Sequence, residues 1–315
     1  MDASQRYETA GESFFQKRLN ERPFGKDHQA KALREAYTRI CGTRSPEQQQ
    51  RPEFVLLTGA SGTGKTTVAE SLKRYVTSLE ENKGVFIAGK YDRFHNQMPF
   101  SGLISAFSNF ASQVIAEGGN AQHSIRELVK ANENVDRRLL VDVVPDLQSL
   151  LGGSFDESSS DVPILSDAQK QRCCFTFTEF VASLTDFRPI VMFLDDLQWC
   201  DQDSLDLLNQ FVSRPHPGFM ILGACRGNEV SPNDPLSRCL RSMEAEGVII
   251  TEVVLKCLDG DMVSELVSSL LDLIPAHENQ ELSDLLFSVT NGNFFHLTHL
   301  ISQLHLDNVI YFERG

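Results

Sequence analysis

The sequence has no apolar run long enough to cross a membrane, and it begins without a secretory signal. Its apolar stretches fall short of the roughly 18 residues that a membrane-spanning helix needs. The first residues contain no basic segment followed by an apolar one. These absences argue against a membrane protein or a secreted one, and we expect a cytoplasmic protein.

The sequence also lacks a cysteine pattern that would indicate disulfides or zinc. Its seven cysteines are odd in number, include no Cys-x-x-Cys pair and share no spacing with a histidine cluster. They are typical of thiols in a reducing compartment. We interpret the adjacent Cys173 and Cys174 as two positions of a helix rather than as a redox pair.

Positive charge is scarce. The 29 lysines and arginines are outnumbered by 43 aspartates and glutamates, which gives a formal net charge of −14. Such an acidic surface repels phosphate backbones on average. No basic stretch with interleaved aromatic residues compensates for it. The charge balance therefore disfavours nucleic acid as a partner.

Short runs of β-branched and other apolar residues alternate with helical patterns. Most of these runs are continuous rather than alternating, as in strands that are covered on both faces. Strands that alternate with helices predict an α/β fold, a three-layer α/β/α core with a parallel sheet. The predicted strands cover residues 54–59, 84–91, 190–196, 218–226 and 247–256.

Two parts of the sequence have helical periodicity without strands. After the second strand it covers 99–118, 124–133, 137–152 and 166–187, with Ser166 or Asp167 as an N-cap and an acidic, serine-rich loop at 152–163. After the last strand it covers 259–274, 279–290 and 293–306.

These patterns predict three parts of the chain. We expect a polar N-terminal extension at 1–20, an α/β core at 21–257 and a small helical domain at 258–315.

The segment after the first strand carries a phosphate-binding pattern. It matches GxxxxGK[ST] and lies between an apolar strand and an amphipathic helix. Glycines let backbone N–H groups close around phosphates, and the N-terminus of the helix adds its dipole. Lys65 would neutralise phosphate charge, and the Thr66 hydroxyl would bind Mg²⁺. The residues of this P-loop are Gly59, Ala60, Ser61, Gly62, Thr63, Gly64, Lys65 and Thr66, followed by Thr67. They predict a site for ATP with Mg²⁺.

Two adjacent carboxylates, Asp195 and Asp196, end the third strand. A buried carboxylate pair needs a positive partner. The P-loop pattern supplies one, since an acid at the end of a neighbouring strand can hold Mg²⁺ through water. We predict that role for Asp195, and for Asp196 the orientation or activation of the attacking water. An aspartate after a strand can also be a simple helix N-cap, so these roles depend on the P-loop.

Arg226 follows the fourth strand. If that strand lies between the P-loop strand and the Asp195 strand, the guanidinium would face the γ-phosphate. A fixed cation there could distinguish ATP from ADP. The alternative is a surface arginine that follows a strand.

Together these residues resemble the STAND branch of AAA-type ATPases, the signal transduction ATPases with numerous domains. The nearest match is the origin-recognition-complex-like AAA ATPase domain that is found fused to protein kinases, histidine kinases and nucleotide cyclases. The resemblance covers roughly residues 20–310. Besides the P-loop it rests on the segments FIAGKYDRFHNQMPFSGLISAFSNF, VMFLDDLQWCDQDSLDLL, LGACRGNEV and SVTNGNFFHLTHLISQL.

The resemblance implies the strand order 5-1-4-3-2 and a conformational switch driven by ATP and Mg²⁺, with slow hydrolysis. It also implies a protein partner or a fused output domain, possible nucleotide-dependent oligomers, and a chain truncated before a winged helix. The helical domain would act as a lid over the core.

Three positions depart from the family pattern. The N-terminal Gly-Arg-Glu motif appears as Gly25-Lys26-Asp27 after Phe24, and we expect Phe24 and Gly25 at the nucleotide. The Gly-x-Pro of the lid appears as Gly292-Asn293-Phe294, so Phe294 either stacks on adenine or packs within the lid. The second acid is Asp196 where motor ATPases have glutamate, which predicts weak turnover.

Three other functions stay open. A DNA-engaging initiator or loader would show salt-dependent DNA affinity. A kinase that uses the same loop would transfer phosphate to a hydroxyl group. A nucleotide-binding scaffold would bind ATP without turnover.

Overall fold

The computed structural model describes residues 24–42, 53–81, 83–93, 99–152, 166–214, 217–271, 280–307 and 309. The predicted extension at 1–20, the predicted loop from residue 153 onwards and the end of the chain after 309 lie outside these described residues.

Helices and strands alternate along the chain, as the sequence predicts. In order they are α1 (Asp27–Cys41), β1 (Glu53–Thr58), α2 (Lys65–Ser78), β2 (Val85–Lys90), α3 (Ser101–Glu117), α4 (Gly119–Ala131), α5 (Arg137–Val143), α6 (Leu147–Leu151), α7 (Asp167–Thr185), β3 (Ile190–Asp195), a 3₁₀ turn (Leu197–Trp199), α8 (Gln202–Ser213), β4 (Phe219–Cys225), α9 (Pro235–Ala245), β5 (Ile250–Val254), α10 (Gly260–Leu271), α11 (Gln280–Thr290) and α12 (Phe294–Leu306). No helix among the described residues has the length and apolar character needed to cross a membrane.

The five strands of the described chain form one parallel sheet in the order β2-β3-β4-β1-β5. This confirms the predicted fold class and strand order. Ile190 of β3 lies opposite Val85 of β2 and Phe219 of β4, and Lys90 lies opposite Asp195. Strands β1 and β4 are buried along their whole length, which explains their continuous apolar sequences.

The chain forms two compact units whose segments are interleaved in the sequence. The P-loop unit contains the described residues of 1–32, 58–72 and 254–315, and the sheet unit contains those of 33–57 and 73–253. The predicted domain division at residue 257 stays a prediction, since the units are defined by contacts and not by sequence order.

A cluster of aromatic residues lies in the core of the sheet unit. Phe107 of α3 stacks on Phe177 of α7 with 5.0 Å between ring centroids, and Phe180 contacts both Phe107 and Phe110. The side chains are almost fully buried. Burial of such rings stabilises the packing of α3 against α7.

The helical segment predicted at 137–152 is not continuous in the structure. The structure has two helices there, α5 and α6, separated by Val144, Pro145 and Asp146. Proline has no N–H and disfavours helical geometry in the residue before it. Val144 accordingly leaves the helix, with φ −126° and ψ 85°.

The other helical predictions on α7 are confirmed. Ser166 is the N-cap, and it exchanges hydrogen bonds with Gln169 in a capping box. Cys173 and Cys174 are two buried positions of the same helix. Burial raises the pKa of the Cys173 thiol to about 11 and that of Cys174 to about 12. Both thiols are therefore protonated and unreactive near neutral pH.

The C-terminal helices α10, α11 and α12 have a core of their own within the P-loop unit. Its members are Leu258, Val263, Leu266, Val267, Leu270, Leu286, Leu297 and Ile301, with Phe24 and Phe294 packed against it. Gly292 allows the backbone before α12 to lie close to the backbone of Leu258, a member of this core. The φ of Gly292 is +68°, and a Cβ at this position would overlap the carbonyl of Leu258. The N–H of Leu258 donates to Gly292 O at 2.8 Å.

Candidate functional site

The P-loop of the P-loop unit curls back on itself between the end of β1 and the start of α2. Both the hydroxyl and the N–H of Thr63 donate to Ala60 O, at 2.9 and 3.4 Å. Gly62 and Gly64 have positive φ values, +77° and +94°. The residues between Thr58 and Lys65 thus form a tight loop that ends at a helix N-terminus.

Lys65 spans this loop with its side chain. Its Nζ donates to Gly59 O and to Ala60 O, each at 2.9 Å, and only 8% of the residue is exposed. The first turn of α2 contains no acidic residue, so nothing there competes with an anion for the helix dipole. Thr66 lies exposed in the same turn. The loop therefore offers the cation and the dipole that a phosphate group requires.

A narrow cavity lies beside the loop, and in this conformation it is too narrow to hold a water molecule. Its lining combines two aromatic rings with the start of α2: Phe24, Lys26, Thr63, Gly64, Thr67, Val68 and Phe294. Phe294 both lines this cavity and packs against the core of the C-terminal helices. The two aromatic rings of the lining have the chemistry that a purine base needs, and the cavity would have to widen to admit one.

The N-terminal segment is held in place by Lys26. The Lys26 Nζ donates to the Lys256 carbonyl at 2.5 Å, and burial lowers the pKa of Lys26 while nearby Cys257 and Asp259 oppose that shift. Gly25, with φ +63°, lies against Leu258 and Met262. These contacts hold the backbone next to Phe24, which lines the cavity.

The N-terminus of α12 touches the P-loop directly. The Asn293 Nδ2 donates to Ser61 O at 2.8 Å, and the Phe295 N–H donates to Gly62 O at 3.1 Å. The sequence predicts a helix start here but gives no sign of this contact.

In the sheet unit, Asp195 and Asp196 lie at the carboxyl end of β3. Asp195 is half-buried, and its Oδ1 accepts the Asp196 N–H at 3.0 Å. Asp196 has φ +57°, a left-handed conformation that aspartate tolerates better than most residues. Only 5% of Asp196 is exposed.

Three donors surround the Asp196 carboxylate. The Lys90 Nζ lies 3.3 Å from one oxygen, the Arg226 Nε lies 3.4 Å from the other, and the Gln198 Nε2 donates to that second oxygen at 2.8 Å. The buried charge is therefore compensated within the sheet unit.

Arg226 follows β4, the strand between β3 and β1. Its guanidinium pairs with Glu229 at 2.9 Å and lies 4.8 Å from the ring centroid of Trp199. The Glu229 hydrogen bond and the Asp196 charge raise the pKa of Arg226. The Arg226 N–H donates to Gln198 Oε1 at 3.2 Å, so one carboxamide joins Asp196 to Arg226.

The structure thus groups the predicted residues in two sets. The P-loop unit contains Phe24, Gly25, the P-loop from Gly59 to Thr67, and Phe294; the sheet unit contains Asp195, Asp196 and Arg226. The sequence did not predict Lys90, Gln198, Trp199 and Glu229 at the second set. Of these four residues, only Lys90 has a position in the sequence that indicates the site, because it ends β2 as Asp195 ends β3.

Several solved structures are similar to this chain. The ORC2 protein of Aeropyrum pernix, in ADPNP–ADP complexes, has a TM-score of 0.50 and 10% identity over 90% of this chain and 64% of that one. DnaA from Aquifex aeolicus, bound to AMPPCP, has a TM-score of 0.43 and 14% identity over 90% of this chain and 62% of that one.

A signal transduction ATPase with numerous domains from Pyrococcus horikoshii, with a tetratricopeptide repeat sensor, has a TM-score of 0.38 and 15% identity. The match covers 90% of this chain and 30% of that protein. The chain therefore spans less than two thirds of each of these relatives. No curated protein matches the sequence.

A family profile assigns the chain more directly. The profile described as the AAA ATPase domain matches residues 22–222, which is more than half of the 315 residues. The match includes the P-loop, β3 with its two aspartates and the first part of β4. The chain belongs to the AAA ATPase domain family.

Proposed function

We propose that this chain binds ATP with Mg²⁺ at its P-loop, hydrolyses it slowly and uses the bound nucleotide to control the conformation of a signalling protein. The observation that carries the proposal is the loop itself. The Lys65 Nζ lies within a loop that leads into the N-terminus of α2, a combination that suits an anion, and a narrow aromatic cavity lies beside the loop. Membership of the AAA ATPase domain family supports nucleotide binding.

The residues of the P-loop unit fit a nucleotide. Gly64 has φ +94°, and a Cβ there would meet only the Phe294 ring, at 4.0 Å, so space is open on that side of the loop. The first turn of α2 has no acidic residue. Phe24 and Phe294 are suited to hold the base, and Lys65 is suited to exchange its two carbonyl acceptors for phosphate oxygens.

The magnesium ion would be held mostly by oxygen atoms outside the protein. When bound, Mg²⁺ neutralises phosphate charge and polarises the γ-phosphoryl group. Nucleotide sites commonly supply one or two protein ligands for it, and the phosphates and water complete the shell. Thr66 supplies a hydroxyl and Asp195 a carboxylate in our proposal. Among the described residues, no group of three or more His, Cys, Asp or Glu side chains is placed to hold a metal.

The order of the strands supports a shared role for the two residue sets. The P-loop follows β1, Asp195 ends β3 and Arg226 follows β4, and these strands are neighbours in a parallel sheet. Ligands of open α/β sheets bind outside the carboxyl ends of the strands. From the motifs that contain them, we propose that Asp195, Asp196 and Arg226 act on the same nucleotide as Lys65.

The surroundings of Asp196 support slow turnover. Its carboxylate is engaged by Lys90, Gln198 and Arg226. Three of the roughly four acceptor positions of the carboxylate are thus occupied, and a water molecule would have to use the remaining one. A buried carboxylate with so little room for a water molecule fits a switch better than a motor. The net charge of −14 favours a protein partner over a nucleic acid.

Arg226 supplies a test of the switch. We expect the parent protein to bind ATP more tightly than ADP, and Arg226→Ala to reduce that preference by about tenfold, because a hydrogen bond to a charged group contributes about 1.5 kcal/mol or more. Calorimetry with each nucleotide and Mg²⁺ measures the preference. Arg226→Lys is the matched variant, since it keeps the charge and loses the planar fork.

The fluorescence of Trp199 gives a second readout. Trp199 is the one tryptophan of the chain, and the guanidinium lies within cation–π distance of its ring. We expect ATP to change this fluorescence more than ADP does in the parent, and neither to change it in Arg226→Ala. An unchanged ATP-to-ADP affinity ratio in Arg226→Ala would remove Arg226 as the sensor.

A further inference from the structure

The contact between α12 and the P-loop involves more than helix capping. Asn293 is the N-cap of α12, and its Oδ1 accepts the His296 N–H at 3.2 Å. Capping uses only this oxygen, and serine or aspartate would cap about as well. The Asn293 Nδ2 instead donates to Ser61 O at 2.8 Å, a residue 232 positions away in the sequence. Capping does not explain that second bond.

The P-loop is shaped to receive this carboxamide. Gly62 has φ +77°, and a Cβ there would overlap the Asn293 side chain, including Nδ2 at 2.9 Å and Cγ at 3.0 Å. The Phe295 N–H adds a bond to Gly62 O at 3.1 Å. Two successive P-loop carbonyls are thus held by donors from one helix end.

Fixing these carbonyls also fixes the N–H groups behind them. A trans peptide is planar, so its N–H points opposite to its carbonyl. Because Ser61 O faces Asn293, the N–H of Gly62 faces away from it. P-loops bind phosphate with such N–H groups. A donor on the outside of the loop therefore determines where the loop's own donors point.

We propose that Asn293 is a positioning residue for the P-loop. Its carboxamide holds the Ser61–Gly62 peptide in the orientation that phosphate requires. It also joins that peptide to Phe294, the next residue, which lines the cavity beside the loop. A shift of the Ser61–Gly62 peptide, which faces phosphate, would then also move Phe294, which lines the cavity for the base. The effect on ATP rests on the proposed function, whereas the effect on the loop does not.

Two variants remove the Nδ2 donor of residue 293 and keep a side-chain oxygen that can cap α12: Asn293→Ser and Asn293→Asp. Gln303→Glu is the control for charge, because it makes the same amide-to-acid change at an exposed position of the same helix. Hydrogen exchange of the P-loop amides is measured on the ligand-free protein. Affinity for ATP with Mg²⁺ is measured by calorimetry, and the melting temperature shows whether each variant is folded.

We expect the amides of Gly62 and Thr63 to exchange about fivefold faster in Asn293→Ser, which is the effect of losing one ordinary hydrogen bond. The dissociation constant for ATP should rise by about the same factor. Asn293→Asp should weaken binding further, because its carboxylate repels both the Ser61 carbonyl and phosphate. Gln303→Glu should match the parent, and all melting temperatures should stay close to the parent value.

The proposal is overturned if Asn293→Ser exchanges and binds like the parent. It is also overturned if only Asn293→Asp weakens binding, since the cause would then be charge. If the parent itself does not bind ATP, the proposed function fails. The exchange measurement on the ligand-free protein still decides the role of Asn293 in that case.

Discussion

Replacing Lys65 with methionine will weaken ATP binding by at least about a hundredfold. The lysine contributes charge-assisted hydrogen bonds, each of about 1.5–3 kcal/mol, to whatever anion the loop holds. Methionine keeps an apolar stem of similar length in this buried position and removes the cation together with its hydrogen bonds to Gly59 O and Ala60 O. Calorimetry with ATP and Mg²⁺ measures the change, and we expect the melting temperature of the ligand-free protein to move little.

Lys73→Met is the matched control, because it removes the same charge from α2 two turns further along. It should bind ATP as the parent does. Parent-like ATP affinity in Lys65→Met would mean that phosphate does not bind at this loop. The proposed function would then be wrong, since its main supporting observation is the geometry of Lys65 and the N-terminus of α2.

Most of the sheet could be predicted because its signal is local. Buried parallel strands need continuous apolar residues, and β1, β3 and β4 show them. Apolar runs define the ends of the strands poorly. The run at 247–256 predicts the last strand from residue 247, whereas β5 begins at Ile250. The order of the strands does not follow from such runs, and it came from the family resemblance.

Helix breaks and unit boundaries were harder to predict. Pro145 divides a segment whose apolar periodicity continues across it, so a pattern of apolar residues alone predicts one helix. The two compact units join segments that are far apart in sequence, such as 58–72 and 254–315. Local patterns carry no information about such pairings.

The site residues that the sequence predicts likewise differ from those that it misses, because the former lie in local motifs and the latter act through contacts between distant segments. Lys65, Asp195 and Arg226 were named because motifs fix their residue types and their positions after strands. Gln198 and Asn293 were not, because their roles depend on contacts that the sequence does not display. Gln198 joins Asp196 to the backbone of Arg226. From the sequence, Asn293 is only the middle residue of the Gly292-Asn293-Phe294 motif at the start of a predicted helix.

We expect the second acid, Asp196, to determine whether this protein hydrolyses ATP. We expect Asp196→Asn to lower the rate of ATP hydrolysis by about a hundredfold or more, the usual contribution of a group that orients or deprotonates a nucleophile. ATP affinity should stay within about threefold of the parent, because asparagine tolerates the left-handed conformation and still accepts the Gln198 hydrogen bond. Phosphate release under saturating ATP, together with calorimetry, measures both quantities.

Asp195→Asn is the matched variant one residue earlier. We expect it to lower both hydrolysis and the dependence of ATP affinity on Mg²⁺, since a neutral amide is a poorer ligand for this ion. Different effects of the two variants would separate a metal-side acid from a water-side acid. If Asp196→Asn hydrolyses ATP at the parent rate, the water-orienting role is wrong. Asp196 would then serve as the buried counter-ion of Lys90 and Arg226, and its loss would be measured as a lower melting temperature.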